Sequence, residues 1–141
     1  MNAPLYTTEI LRLAASLPEP RKLDRVDASS EQRSSTCGST VRLDVQLGED
    51  GRVQAISQQV HACAFGQASA SLLAASAAGR SSDEIARAVD DLAAWLSGAS
   101  EGPGSWPGLE ALAPARSRRS RHGAILLPFK ALAAALRGAR R

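Results

Sequence analysis

Aromatic residues are scarce in this chain. Its 141 residues include two tryptophans, two phenylalanines and one tyrosine, while hydrophobic residues of all kinds make up 44%. A chain of this length forms one domain and buries roughly two-thirds of the surface that it exposes when unfolded. We therefore predict a single domain over residues 1–141, with a core built mainly from aliphatic and small side chains.

Long apolar runs and targeting patterns are also missing. No apolar stretch approaches the roughly 20 residues that a membrane-spanning helix needs. The N-terminal Met1-Asn2-Ala3-Pro4 lacks the basic region and apolar run of a secretory signal. These observations predict a cytoplasmic protein with no membrane partner, in which thiols stay reduced. A disulfide between Cys37 and Cys63 is then a minor alternative.

Acidic residues are absent after position 115. Residues 1–115 carry a formal net charge of −5, and residues 116–141 carry +8. This asymmetry predicts that the basic segment docks an acidic protein surface, or else that it is simply a solvated face. No aromatic residue is interleaved for base stacking with the arginines at its start, which disfavours nucleic acid as a partner. Those arginines are Arg116, Arg118, Arg119 and Arg121.

The apolar patterning predicts an α+β fold. Alternating apolar residues predict a strand over 41–47, and the Asp50-Gly51 turn returns the chain as a second strand over 52–60. We expect a third strand, at the edge of the sheet, over 23–28. Three antiparallel strands with one apolar face need helices to cover that face.

The helical segments are recognised by spacing and by caps. Apolar residues at helical spacing predict helices that begin near residues 6, 64, 81 and 125, and a short helix near 109. Ser81 and Glu84 form a capping-box pattern. Pro128 is expected in the first turn of the last helix or at a kink, which places His122 at or just before that helix.

The two cysteines fall at the outer ends of the predicted hairpin. Cys37 precedes the first strand in a Ser/Thr/Gly-rich turn, and Cys63 stands where the second strand gives way to a helix. Because the outer ends of a hairpin lie side by side, the two thiols are expected at one edge of the sheet. The positive end of the helix dipole stabilises a thiolate at Cys63, which favours a metal ligand or sulfur acceptor there. The simpler alternative is a small apolar residue beneath a helix terminus.

These cysteines and their surroundings resemble the NifU-like family of U-type scaffolds, on which iron–sulfur clusters are assembled. That family has a Cys-Gly-Asp turn, and a second cysteine with Ala-Ser follows at the start of a helix. Here Cys37-Gly38 and Cys63 with Ala68-Ser69 match at an interval of 26 residues. The resemblance implies a small three-stranded antiparallel sheet covered by roughly four to five helices, the U-type scaffold fold.

Two positions depart from the family pattern. Ser39 stands where the family has aspartate, and Gly123 stands where the third cysteine falls, with His122 kept beside it. The resemblance implies that Cys37, Cys63 and His122 hold the cluster or metal. A fourth position is then left for Ser39, His61, water or a thiolate of a partner. A thiol hydrolase that pairs Cys63 with a histidine is disfavoured, because no orienting acid is identifiable nearby.

The function implied by the resemblance is that of a scaffold or carrier rather than an enzyme. Such a protein accepts sulfur from a cysteine desulfurase, receives iron, holds a transient cluster, with [2Fe–2S] as the first expectation, and passes it to acceptor proteins. The alternative is a degenerate relative that binds zinc or serves as an adaptor for the desulfurase. The missing third cysteine separates the two hypotheses.

Overall fold

The structure, a computed structural model, describes residues 6–35 and 38–139. Within those residues the chain forms three strands, four α-helices and one 3₁₀ helix, which confirms the predicted α+β class. In chain order the elements are α1 (Thr8–Ala15), β1 (Ala28–Arg33), β2 (Thr40–Leu47), β3 (Val53–His61), α2 (Ala64–Ser76), α3 (Ser82–Ser97), the 3₁₀ helix (Leu109–Ser117) and α4 (Arg119–Ala139).

The sheet is antiparallel with strand order β1-β2-β3. Its inner face carries Val41, Leu43 and Val45, which are fully buried. Helix α4 packs against β1 and β2 and also contacts α2 and α3, so the core lies between this face and the helices. Alternation along β2 therefore decides which face of the sheet the helices cover.

The edge strand lies at 28–33, so its prediction at 23–28 is wrong. Every second residue of β1 is exposed and none is apolar after Ala28, because an edge strand can be held by backbone pairing alone. Residues 18–27 instead form a crossing segment over the outer face of the sheet. Within it the Arg21 N–H donates to Ser57 Oγ at 2.9 Å, and Leu23 is buried.

Helix α4 begins at Arg119, earlier than its apolar periodicity indicates, and Pro128 lies in its interior rather than in its first turn. Proline has no N–H, so the carbonyl of Ala124 loses its partner four residues on. The next carbonyl, of Ile125, accepts a hydrogen bond from the buried Ser69 hydroxyl of α2 at 2.5 Å.

Small residues let α2 approach α4 at this point. A Cβ placed on Gly66 would lie 2.6 Å from the Cβ of Ala62, and 3.3 Å from both the Cβ and the carbonyl oxygen of Ala124. Gly66 and Ser69 are one turn apart on α2, so both face the stretch of α4 backbone before Pro128. The Ala- and Ser-rich sequence of α2 thus sets a close helix–helix contact.

Helix α3 begins with the predicted capping box. Ser81 Oγ accepts from the Glu84 N–H, and the Ser81 N–H donates back to Glu84 Oε1, each at 3.1 Å. The Ser81 N–H and the Arg52 guanidinium both favour the carboxylate, so the pKa of Glu84 lies below its ordinary value. In the part of the chain that the structure describes, no helix is long and apolar enough to cross a membrane.

Candidate functional site

The outer ends of the β2–β3 hairpin lie side by side, as the sequence predicts. Thr40, the first residue of β2, pairs with His61, the last residue of β3. Cys37 itself lies outside the described residues, and hydrogen bonds join the residues on either side of it. Ser34 N–H donates to Ser39 carbonyl oxygen at 2.9 Å, and Gly38 N–H donates to Ser34 carbonyl oxygen at 3.1 Å. The described residues of this turn (34–39), namely 34, 35, 38 and 39, are therefore held at the same hairpin end as Cys63.

Cys63 is the N-cap residue of α2 and has an extended backbone. Its side chain is half-buried against the core and makes no capping hydrogen bond. The backbone before it is held by Gln67, whose side-chain amide donates to the Ala62 carbonyl at 3.1 Å. The thiol therefore stands at a fixed place, beside the unpaired N–H groups of a helix terminus.

The N-terminal part of α4 packs against Ser34, in the turn that precedes β2. A Cβ placed on Gly123 would lie 2.6 Å from Ser34 Oγ. The next residue, Ala124, is the one that meets Gly66 of α2. Through these two contacts, the N-terminal part of α4 touches both cysteine-bearing segments. Position 123 faces the 34–39 turn, and the absence of a side chain at Gly123 makes room for Ser34.

His122 directly precedes Gly123 in α4 and is half-buried. Its Nε2 is 2.9 Å from the Ala115 carbonyl oxygen and 3.2 Å from that of Arg116. Carbonyl oxygens only accept hydrogen bonds, so Nε2 carries the proton and the neutral ring keeps its lone pair on Nδ1. A histidine anchored in this way is typical of metal ligands, whose second nitrogen donates to a carbonyl or carboxylate.

We expect the neutral His122 ring to be the Nε2–H tautomer, because two carbonyls receive that proton. Long-range ¹H–¹⁵N correlation spectra at a pH well above the ordinary range of histidine should show a pyrrole-type Nε2 and a pyridine-type Nδ1. Exposed His61 serves as the control in the same spectrum, since no hydrogen bond selects its tautomer among the described contacts. A protonated Nδ1 in neutral His122 would contradict the assignment.

Three other residues are predicted to take part in the site or in partner binding. His61 is exposed, and Ser39 is buried. Arg116 is engaged in the fold, because its guanidinium donates to the carbonyls of Trp95 and Ser100 and lies over the Trp95 ring. This corrects the prediction that Arg116 belongs to a free basic docking segment. Over residues 6–35 and 38–139, no three His, Cys, Asp or Glu side chains are grouped to hold a metal ion, and Cys37 is outside that range.

The chain is similar to proteins of known sequence family and structure. The NifU-like N terminal domain matches residues 5–113. A crystal structure of a nitrogen-fixing NifU-like protein (N-terminal) from Brucella abortus is 31% identical, with a TM-score of 0.86 over 96% of this chain and 94% of that one. No curated protein sequence matches the chain.

A second solved structure shows the same fold at lower identity. It is described as a candidate iron–sulfur cluster assembly scaffold protein for the SUF system, from the thermophile Fervidobacterium islandicum AW-1. It is 20% identical to this chain, with a TM-score of 0.79 over 94% of this chain and 96% of that one.

Proposed function

Because the chain belongs to the NifU-like N-terminal domain family, we propose that it is a scaffold or carrier that holds a transient iron–sulfur cluster and passes it on. The cluster is cargo, and the protein is not an enzyme in the usual sense. In this proposal Cys37, Cys63 and His122 are the protein ligands, [2Fe–2S] is the cluster, and the cytoplasm is the compartment.

The observation that carries the proposal is the meeting of three segments at one end of the sheet. The 34–39 turn lies against Gly123, the first turn of α2 lies against Ala124, and His122 belongs to the same turn of α4. Each segment brings one ligand type that suits iron–sulfur clusters or zinc, namely two thiolates and one imidazole. The contacts among the described residues of these segments support this set.

Three ligands leave one position open at the metal. A structural zinc site is normally closed by four ligands, whereas an open position lets a cluster be acquired and released. Within the proposal, water or the thiolate of a partner fills this position. His61 is less suited to it, because this exposed side chain follows Gln59 on the outer face of the sheet.

Metal and acid-labile sulfide analysis of the chain, purified without oxygen, tests the proposal. We expect iron and sulfide in equal amounts, together with visible absorption from thiolate-ligated iron. Zinc without sulfide would instead support the alternative of a zinc-binding relative. A protein that stays free of metal and sulfide after reconstitution with iron, free cysteine, a thiol reductant and a cysteine desulfurase would overturn both hypotheses and leave the adaptor role.

Position 123 offers a gain-of-function prediction. Gly123→Cys restores a third thiolate where relatives have one, but its Cβ would collide with Ser34 Oγ at 2.6 Å. We therefore expect the double change Ser34→Gly, Gly123→Cys to slow metal loss to a chelator by roughly tenfold or more, the scale of other ligand-shell changes. The Gly123→Cys single variant should gain less.

The controls separate the thiol from the space around it. Ser34→Gly alone should lose metal at the rate of the unchanged protein or faster, because it adds no ligand. A double variant that releases metal as fast as Ser34→Gly would show that a thiol at position 123 does not reach the metal.

A cysteine desulfurase and cluster-acceptor proteins are the proposed partners. With Arg116 committed to the fold, the exposed cations beside the site are Arg118 and Arg119, with half-buried Arg121 behind them. They lie at the start of α4, where the helix dipole disfavours positive charge, so an acidic partner surface would stabilise this end. The nucleic-acid alternative has no further support here.

A further inference from the structure

The outer face of the sheet, away from the helices, contains a second candidate site. The crossing segment is anchored there at two places. Arg21 N–H donates to Ser57 Oγ at 2.9 Å, while the Arg25 guanidinium donates to the Leu47 carbonyl at 2.6 Å and to Asp27 Oδ1 at 2.9 Å. Asp27 in turn accepts from the Leu47 N–H at 2.7 Å. The backbone of residues 21–27 is thus held against the sheet.

A cavity of about 240 Å³ opens between this segment and the strands. It is lined by residues of the crossing segment, β2 and β3, namely Pro20, Arg21, Lys22, Arg42, Asp44, Ser57 and Gln59. Arg42 pairs with Gln59, and Asp44 pairs with Ser57, so two adjacent cross-strand pairs form the floor. The side chains of the crossing segment form the wall.

The lining of this cavity is strongly positive. None of the three lining cations, Arg21, Lys22 and Arg42, forms an ion pair among the described residues. The ion pairs found there join Arg25 to Asp27, and Glu84 to both Arg52 and Arg80. The one lining carboxylate, Asp44, already accepts the Ser29 hydroxyl at 2.6 Å. Three cations and one carboxylate give a formal charge of +2. Glu31 is opposite Arg42 in register but forms no ion pair with it.

We propose that this cavity binds a phosphoryl group. A phosphate monoester carries a charge of about −1.5 to −2 at pH 7, which matches the lining. Guanidinium groups donate two parallel hydrogen bonds to phosphate oxygens, and Arg21 and Arg42 approach the cavity from different elements. Lys22 adds a point charge, and Gln59 adds amide donors. The same chemistry is offered by free phosphate and by a nucleotide, whose base would lie outside so small a cavity.

Binding is tested by calorimetric titration of the full chain with inorganic phosphate, with pyrophosphate, with ADP and with adenosine. We expect phosphate and ADP to bind and adenosine not to bind. Arg42→Gln and Arg21→Gln should each weaken phosphate binding by roughly tenfold, because each removes charge-assisted hydrogen bonds. Asp44→Asn should tighten it. A tighter dissociation constant for ADP than for pyrophosphate, which carries the same phosphoryl groups without the nucleoside, would identify a nucleotide as the ligand, and equal constants would identify the phosphoryl groups alone.

The matched control is Arg12→Gln, which removes the same charge from an exposed arginine of α1. A second control is Cys63→Ser, which excludes phosphate bound to metal at the thiol site. Both controls should bind phosphate like the unchanged chain. The proposal is wrong if phosphate produces no heat, or if Arg42→Gln and Arg12→Gln bind it equally well. The proposal does not depend on the cluster-scaffold function, because metal content should be the same in Arg42→Gln.

Discussion

Cys63→Ser is expected to weaken metal or cluster binding by more than about a hundredfold, while the protein stays folded. Loss of an outer-shell contact to a metal ligand already costs roughly 10–100-fold, and Cys63 is a proposed direct ligand. Stability should be kept because Cys63 is the N-cap of α2 and makes no capping hydrogen bond. Serine is among the preferred N-cap residues, so the substitution adds a cap that the thiol does not supply.

The measurement is iron, zinc and sulfide content after anaerobic purification, together with the unfolding midpoint in urea. We expect a midpoint equal to or above that of the unchanged chain. Cys37→Ser should abolish binding in the same way, and the double variant should lose no more than either single variant. Undiminished metal content in the double variant would rule out the thiol site.

The largest expected effect on stability comes from Gly66→Ala. A Cβ at this position would lie 2.6 Å from the Ala62 Cβ, a contact that no side-chain rotation relieves. We expect a loss of about 1–3 kcal/mol in the free energy of unfolding, the usual cost of overpacking, even though alanine favours helix formation. Because Ala62 and Ala124 would be displaced, metal affinity should fall as well.

Gly138→Ala is the matched control. Gly138 lies in the same helix as Ala124, and a Cβ there would meet nothing within 4 Å. Its stability should be unchanged or higher by up to about 1 kcal/mol. Urea unfolding of both variants gives the comparison. Equal stabilities of Gly66→Ala and Gly138→Ala would mean that the close approach of α2 and α4 is not required.

Patterning alone predicts β2, β3 and α3 well. In β2 the alternation holds up to Val45, since Val41, Leu43 and Val45 are fully buried while Arg42 is exposed, and it ends at the buried Gln46. In α3 a capping box and a C-terminal glycine mark both ends, and Gly98 has the positive φ of 88° that such a cap requires. Where the capping residues and the apolar pattern indicate the same element, the sequence alone is enough to predict that element.

Patterning fails where tertiary contacts decide. The strand β1 has no apolar alternation because backbone pairing with β2 holds it, so its place could not be read from hydrophobicity. The start of α4 is polar, and tertiary contacts at Gly123 and Ala124 extend the helix beyond its apolar run. The outer-face cavity gave no signal, because Arg21 and Arg42 are distant in sequence.

The candidate site likewise has features that the sequence predicts and features that it does not. Hairpin geometry predicts that the two cysteine-bearing ends meet, and the pairing of Thr40 with His61 confirms it for the described part of those ends. The contact of Gly123 with Ser34 was not predictable, because Gly123 precedes the apolar run from which the last helix is predicted. A helix-interior glycine such as Gly66 is a usable signal of close packing.

Pro128 affects the order of the N-terminal half of α4, which carries His122. An isolated helix shorter than roughly 12–15 residues is only marginally stable in water. Residues 119–127, which precede Pro128, form such a short segment. Its order therefore depends on neighbours such as Ser34, Gly66 and Ser69 rather than on its own backbone ladder. Amides of this segment should exchange with solvent through local opening, ahead of those in the buried second half. Cargo bound by His122 would then slow that exchange, because binding stabilises the folded segment. The free energy of binding would therefore include the free energy of ordering this segment.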